Sequence, residues 1–358
     1  MTRRDWLASF AVSALSPSTP ERALQTGIDW LWSRQAVDGG WRGSRYGLLA
    51  SGQSLTPFVL VALLEAGTDR TDRIHRALEF LRRHMSREGA IGMEDPLVPD
   101  YPNYATALAV RALVLSNRPG VNDMVASLAA CLRSRQFEES AGWRRDDSAY
   151  GGWGMGGDRR IPPHAGHVDL SMTRHVLEAL AAAGSRHSGP TFRRARRFLA
   201  RCQNPDGSFF FSTVVSDANK AGSDRRGYRG YGTATADGIL ALLACGVTRD
   251  ANSLQAAASW LRARHSSVVA PGFTGAASEK WATGLRYYYA ASSAEVFRSL
   301  GWRPDRVLAR ALAAEQRPDG SWVNANPLVK EDEPLIATAF AVRALSAGRQ
   351  PAAESNLI

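Results

Sequence analysis

The sequence has only three cysteines and three lysines among its 358 residues, and each shortage excludes a class of protein. Cys131, Cys202 and Cys245 are widely spaced and form no Cys-x-x-Cys pair, which argues against a disulfide framework and a thiolate metal cage. Arginine supplies the other 41 of the 44 basic residues. Because these arginines lack the interleaved aromatic residues of a nucleic-acid platform, we predict no nucleic-acid partner. The formal net charge of +10 fits either peripheral contact with an anionic membrane surface or a basic pore mouth that faces a diphosphate.

Long apolar runs are also missing. None reaches about 18 residues, so no membrane-spanning helix is predicted. Residues 1–20 leave two interpretations open. Arg3 and Arg4 before the apolar run 8–15 are typical of a twin-arginine export signal, whereas the alternative is an amphipathic first helix packed on the fold. We favour a cytoplasmic or membrane-peripheral location over export.

An internal repeat runs from residue 21 to residue 348. Each unit joins an amphipathic helix with one wet face, a Gly-rich turn and a second helix that is apolar nearly all round. A hairpin cannot cover its apolar helix alone, so six such units fit two concentric rings. The sequence therefore predicts an all-α fold, a single (α/α)6 toroid around a central cavity, with a tail over 349–358. The amphipathic helices begin near Arg22, Arg73, Val121, Thr191, Ser253 and Pro304.

Three turns inside these units share the pattern Q-x-x-D-G-[GS]-[WF]. They span Gln35–Trp41, Gln203–Phe209 and Gln316–Trp322, and Gln136–Trp143 is a stretched copy. Asp-Gly favours a turn in which glycine takes a positive φ, while the glutamine amide and the aromatic ring can tie neighbouring hairpins together. We therefore expect Trp41, Phe209 and Trp322 to be buried between hairpins.

These turns resemble the QW motifs of squalene-hopene and oxidosqualene cyclases and of protein prenyltransferase β subunits. The resemblance covers residues 21–348 and implies the toroid fold and an isoprenoid-type ligand, but the motif itself is scaffold. Cyclases of the protonation type carry Asp-x-Asp-Asp at the start of an inner helix, where this chain reads Gly232–Thr235 and then a lone Asp237. At the zinc-ligand positions of prenyltransferases this chain has neither cysteine nor histidine on its last two inner helices. We predict no metal and no cofactor.

Candidate site residues lie near the starts of the apolar helices, which point at one mouth of the ring. Asp237 precedes an unbroken apolar stretch, so burial should raise its pKa and keep it protonated, as an acid that starts a carbocation reaction requires. Aromatic side chains in a deep cavity suit both an isoprenoid chain and a carbocation. The predicted substrate-binding residues are Tyr104, Trp153, Asp169, Tyr231, Thr235, Tyr287 and Tyr288.

Two insertions, residues 142–157 and 212–231, are longer than hairpin turns require. Aromatic residues among glycines favour ordered lids at the ring mouth. Three hypotheses stay open on the sequence. One is an isoprenoid-handling toroid, as a proton-initiated terpene-cyclase-like enzyme with Asp237 as the acid. The others are a non-catalytic lipid- or peptide-binding toroid, and a zinc-independent relative of prenyltransferase β subunits acting with a partner subunit.

Overall fold

Thirteen α-helices and two short antiparallel hairpins make up the described part of a computed structural model, which covers residues 19–92, 94–95, 98–99, 101–156 and 161–349. Residues 1–18 of the N-terminal segment, interpreted as an export signal or a first helix, lie outside the described residues. The predicted tail lies outside them beyond Arg349. The two-residue strands are β1 (Glu94–Asp95), β2 (Val98–Pro99), β3 (Ser223–Asp224) and β4 (Gly227–Tyr228), paired β1 with β2 and β3 with β4.

Six outer helices carry one buried and one wet face. Their starts are set by local chemistry: Thr19 and Asp305 accept hydrogen bonds from backbone N–H groups of the first turn of α1 and α12, which satisfies donors that a helix leaves unpaired. All six lie within a few residues of the predicted starts. The outer helices are α1 (Pro20–Ser33), α3 (Thr71–Arg83), α5 (Asn122–Ser134), α7 (Pro190–Cys202), α9 (Asn252–Arg264) and α12 (Arg306–Glu315).

Six inner helices are buried on almost every side, as their apolar sequences predict. They contact one another in the order α2, α4, α6, α8, α11, α13 and back to α2, which closes the ring. The predicted toroid of six hairpins is therefore confirmed, and the short α10 (Ala276–Gly284) is an addition that the sequence pattern did not indicate. The inner helices are α2 (Leu55–Glu65), α4 (Pro102–Ser116), α6 (Leu170–Ala182), α8 (Gly232–Ala244), α11 (Arg286–Ser299) and α13 (Pro334–Ala347).

The Gln and aromatic residues that repeat from turn to turn make the same contacts in each hairpin that has them. The glutamine of each turn donates from its amide to a backbone carbonyl of the next outer helix, over 2.7–2.9 Å. Gln316 bonds to Ala23 in this way, so the last hairpin is tied to the first. Trp41, Phe209 and Trp322 are fully buried, as predicted. The pairs are Gln35 with Arg73, Gln136 with Thr191, Gln203 with Ser253 and Gln316 with Ala23.

In five hairpins a threonine of the inner helix bonds to the turn that precedes that helix. The threonine Oγ1 accepts the backbone N–H of the buried apolar residue at the end of the turn, over 2.9–3.1 Å. In the third hairpin that residue is Trp153, whose indole Nε1 also donates to the Leu132 carbonyl at 2.7 Å. The pairs are Thr56 with Trp41, Thr106 with Ile91, Thr173 with Trp153, Thr235 with Phe209 and Thr338 with Trp322.

Two predictions are corrected by these contacts. Trp153, expected to bind substrate, is the buried scaffold aromatic of the third turn, and Trp143 does not take that place as the stretched copy suggested. Thr235, also expected to bind substrate, is fully buried under the turn at Phe209. Within the described residues, no helix is both long enough and apolar enough to cross a membrane.

A candidate ligand-binding cavity

A cavity of about 510 Å³ opens where the starts of the inner helices meet. Every inner helix contributes to its wall, and most of the lining is aromatic or aliphatic. Loops also contribute to the wall, among them one around Met155 and one running from Phe211 to Tyr231. The second loop belongs to the insertion 212–231, which was predicted to be a lid. Typical inner-helix contributions are Phe58 from α2, Tyr104 from α4, Met172 from α6, Ala234 from α8, Tyr288 from α11 and Phe340 from α13.

An aromatic wall forms one side of the cavity. The Phe340 ring stacks on Tyr288, with centroids 5.2 Å apart, and meets Phe58 edge-on at 4.9 Å. Tyr104 lies edge-on to the buried His175 ring at 4.5 Å. Burial raises the pKa of Tyr104 to about 12, so its phenol is neutral at physiological pH. The wall therefore offers flat apolar faces with few charged atoms.

Asp237 lies at the cavity surface and is only 2% exposed. Its Oδ1 accepts from Arg174 Nη1 at 2.8 Å, and its Oδ2 accepts from the Tyr288 hydroxyl at 2.7 Å. Burial raises the pKa of Asp237, and the charge and hydrogen bond of Arg174 and the bond from Tyr288 oppose that rise. The Tyr288 oxygen is also 2.6 Å from Ser171 Oγ. Asp237 is thus a paired carboxylate at the polar end of an apolar cavity.

Behind Asp237 a chain of ion pairs links four inner helices. Arg174 Nε donates to Glu178 at 2.8 Å, and Glu178 accepts from Arg111 at 2.7 Å. Arg111 also pairs with Glu65, which accepts from Arg343 Nε at 2.7 Å. Three carboxylates face three guanidinium groups, so the buried charges balance. This network holds Arg174 in place and leaves Asp237 as the only one of its members that lines the cavity.

Five of the eight predicted site residues line the cavity. These are Tyr104, Asp169, Tyr231, Asp237 and Tyr288.

Tyr287 does not line it; its neighbour Tyr288 is the residue of α11 that does. Thr235 does not line it either, because it lies two positions, about 200° around the helix, from the cavity-facing Thr233. Trp153 belongs to the third turn. The inward positions were predictable only once the helical register was known.

Asp169 has a structural task as well as a place at the cavity. Its Oδ1 accepts the Met172 N–H at 2.7 Å and so caps α6. Its Oδ2 is 3.1 Å from His167 Nε2, and both side chains line the cavity. In the part of the chain that the structure describes, no group of three or more His, Cys, Asp or Glu side chains is arranged to hold a metal ion.

Lys220 is among the cavity residues that were not predicted from the sequence. Its Nζ lies 3.7 Å from the centroid of the Phe211 ring and 5.5 Å from that of Trp281. Burial lowers the pKa of Lys220 to about 8. A signal was present in the sequence, since Lys220 and Lys330 are two of only three lysines in an arginine-rich chain and both line the cavity.

Comparison with known proteins identifies relatives of the fold. A family model of the prenyltransferase alpha-alpha toroid domain matches residues 1–157 and 144–228. No match was found among curated proteins.

Three solved structures are similar over most of the chain. The type II terpene cyclase MstE from Scytonema, in complex with geranylgeranyl dihydroxybenzoate (substrate), is 15% identical, covers 92% of this chain and 97% of its own, and has a TM-score of 0.56. A protein from Actinoplanes is 18% identical over 92% of this chain and 100% of its own, with a TM-score of 0.56. UGL with dGlcA-Glc-Rha-Glc is 14% identical over 91% and 95%, with a TM-score of 0.59. At these identities the likeness concerns the fold.

Proposed function

Since the chain belongs to the prenyltransferase alpha-alpha toroid family, we propose that its central cavity binds an apolar ligand of the isoprenoid type. The observation that carries this proposal is the cavity lining: aromatic and aliphatic side chains from all six inner helices surround about 510 Å³. That volume falls within the range of about 300–1,000 Å³ that small-molecule pockets occupy. Asp237, Tyr288 and Ser171 give the cavity one polar end.

The lining favours an isoprenoid over a sugar, although a similar fold occurs in UGL with a saccharide. Burying an alkyl or alkenyl chain against Phe58, Phe340 and Met172 is favourable by about 25 cal/mol per Å² of apolar surface. A saccharide would leave hydroxyl groups without partners along the same wall, which is costly. The Scytonema cyclase, whose substrate complex carries a geranylgeranyl group, supports the same ligand class. Tyr104, Tyr231 and Tyr288 would contact the chain, with Asp169 and Asp237 near its polar group.

The second candidate is a proton-initiated reaction with Asp237 as the acid. It is favoured by the position of Asp237 at the cavity and by burial, which raises the pKa of this carboxyl. The ion pair with Arg174 argues against it, because protonation of Asp237 would leave the guanidinium with one counter-charge fewer. We therefore place ligand binding before catalysis. Conversion of geranylgeranyl compounds by the wild type, lost in Asp237→Asn, would reverse that order.

Native mass spectrometry tests the ligand class. The purified protein is incubated separately with farnesol, geranylgeraniol and cellobiose, each in the same excess, and the bound mass is read from the intact complex. We expect a 1:1 complex with at least one isoprenoid alcohol and none with cellobiose. Retention of cellobiose alone, or of no compound at any concentration in solution, would contradict the proposal.

A further inference from the structure

The amine of Lys220 is presented to the cavity in an aromatic setting. Its Nζ lies over the Phe211 ring at 3.7 Å and near the Trp281 ring at 5.5 Å. Within the described residues the amine has no carboxylate within 4.0 Å, and its one hydrogen bond is a long one of 3.5 Å to the Ala218 carbonyl. The amine of Lys220 is therefore not engaged in an ion pair among the described residues and faces the cavity.

The loop that carries Lys220 is firmly built. The preceding residue, Asn219, is buried, and its side-chain carbonyl accepts the N–H groups of Phe211 and Ser212 at 2.9 and 3.0 Å. Its amide donates to the Ser212 carbonyl at 2.9 Å. Ser212 Oγ in turn donates to the Val168 carbonyl, close to the start of α6. These bonds tie the two sides of the loop together, so the amine and the Phe211 ring beneath it are positioned as one unit.

The charged groups around Lys220 come from three elements. Asp169 at the start of α6 and Asp237 on α8 both act on the amine through their charge, and each favours its protonated form. Asp217 of the same loop and His167 before α6 also line the cavity. Burial acts in the opposite direction and is the largest effect, so the pKa of Lys220 falls from 10.5 to about 8. A useful fraction of the amine is then neutral near physiological pH.

We propose that Lys220 forms an imine with the carbonyl group of an apolar aldehyde or ketone held in the cavity. The inference rests on the proposed function and adds a chemical class for the ligand. Lysines that are desolvated in apolar pockets are the usual partners of carbonyl substrates.

The step balances without an oxidant or reductant. The nitrogen lone pair of the neutral amine forms the C–N bond while the carbonyl π electrons move to oxygen. A proton passes from nitrogen to oxygen and gives a carbinolamine. The C–O bond then breaks as oxygen takes up a proton and leaves as water. The resulting protonated imine is a cation, which Asp169, Asp237 and the face of the Phe211 ring would stabilise.

Reductive trapping tests the proposal, and the small number of lysines makes its outcome clear. The protein is incubated with farnesal and sodium cyanoborohydride, which reduces an imine to a stable secondary amine, and the adduct is located by peptide mapping. Lys220 competes only with Lys280, Lys330 and the N-terminal amine. We expect the fast adduct to form on Lys220, at least tenfold faster than any adduct on the exposed Lys280. The rate should rise to half its maximum near pH 8.

Matched variants keep the test specific. Lys220→Met should abolish the fast adduct, whereas Lys280→Met should label as the wild type does. Equal labelling of Lys220 and Lys280 in the wild type would overturn the proposal, and that comparison does not depend on whether Lys220→Met folds. Fast labelling that persists in a folded Lys220→Met protein would overturn it too.

Farnesol separates failure of the imine from failure of the cavity. Farnesol has the same chain as farnesal but no carbonyl group, so it should bind and protect Lys220 of the wild type from farnesal. If farnesol binds and farnesal gives no fast adduct, the imine is wrong and isoprenoid binding stands. If neither compound binds, the proposed function itself fails.

Discussion

The Arg174 guanidinium lies 2.8 Å from the Asp237 carboxylate, and both side chains are at most 3% exposed. This contact joins α6 to α8 at the polar end of the cavity, and Tyr288 on α11 holds the other carboxylate oxygen. Arg174 also pairs with Glu178, so Asp237 is the last member of a buried charge network. The relationship gives Asp237 a structural task that is independent of any reaction.

Breaking this pair from either side should destabilise the protein. Asp237→Asn leaves a buried guanidinium short of one counter-charge and should lower the free energy of unfolding by about 3 kcal/mol. Arg174→Met should cost at least as much, while the double variant should recover about 1 kcal/mol or more relative to the sum. Urea unfolding of the four proteins measures this coupling. Glu79→Gln, at the exposed pair with Arg82, is the control and should change little. Strict additivity of the two buried substitutions would mean that the pair is not formed.

Two threonines on α8 should respond oppositely to the same substitution. Thr235 Oγ1 accepts the Phe209 N–H at 3.1 Å, so Thr235→Val leaves a buried donor unpaired and should cost about 1–3 kcal/mol. Thr233 Oγ1 is buried at the cavity and has no partner among the described residues. Thr233→Val should therefore be neutral or stabilising by up to about 1 kcal/mol. Thermal or urea unfolding of the two variants, side by side, checks this. A larger loss for Thr233→Val would show that the helical register of α8 is wrong.

Glu331 should make the stability of the protein depend on pH. It is fully buried and accepts the N–H groups of Tyr287 and Tyr288 at the start of α11, at 3.0 and 2.8 Å. Burial raises the pKa of Glu331 from 4.5 to about 7. A carboxyl with a raised folded-state pKa stabilises fully below pH 4.5, and this contribution is lost as the pH rises through about 7.

The difference in pKa corresponds to about 3 kcal/mol of unfolding free energy at most. Glu331→Gln does not titrate and should lack this loss, whatever its effect at a single pH. Urea unfolding of both proteins at pH 5 and pH 8 gives the comparison, since the other titrating groups are common to both. The same change with pH in both proteins would show that Glu331 is not the source.

Most of the fold was predictable from the sequence because the apolar residues and the turn residues recur at regular spacings. Apolar spacing located twelve helices, and the repeated Gln and aromatic residue marked three turns whose contacts the structure repeats. The second turn was not predicted because its buried residue is Ile91. The third was recognised at Gln136 but assigned Trp143 instead of Trp153, because fourteen residues separate Gln136 from Gly151. In both, the backbone contacts survive although the sequence pattern does not. Helix α10 was not predicted because it has no counterpart in the other hairpins.

The cavity was less predictable, because its residues come from different elements that meet only in three dimensions. Position along a helix identified Tyr104, Asp237 and Tyr288, but it could not show that Arg174, 63 residues away from Asp237, neutralises it. Lys220 was missed because its loop has no periodicity. Its place depends on the bonds of Asn219, which no local pattern reveals.

The central claim, that the cavity holds an isoprenoid chain, is tested most directly by filling the cavity from its wall. Ala234 lines it and is 2% exposed, so Ala234→Phe places a ring where the ligand would lie. Ala263→Phe adds the same ring on the exposed face of α9 and serves as the control.

Melting temperatures confirm that both variants fold, and Ala234→Leu replaces Ala234→Phe if the latter does not fold. Calorimetric titration with farnesol should show 1:1 binding to the wild type and to Ala263→Phe, and affinity lowered by about tenfold or more, or about 1.4 kcal/mol, in the Ala234 variant. Equal affinity of all three proteins would contradict the account.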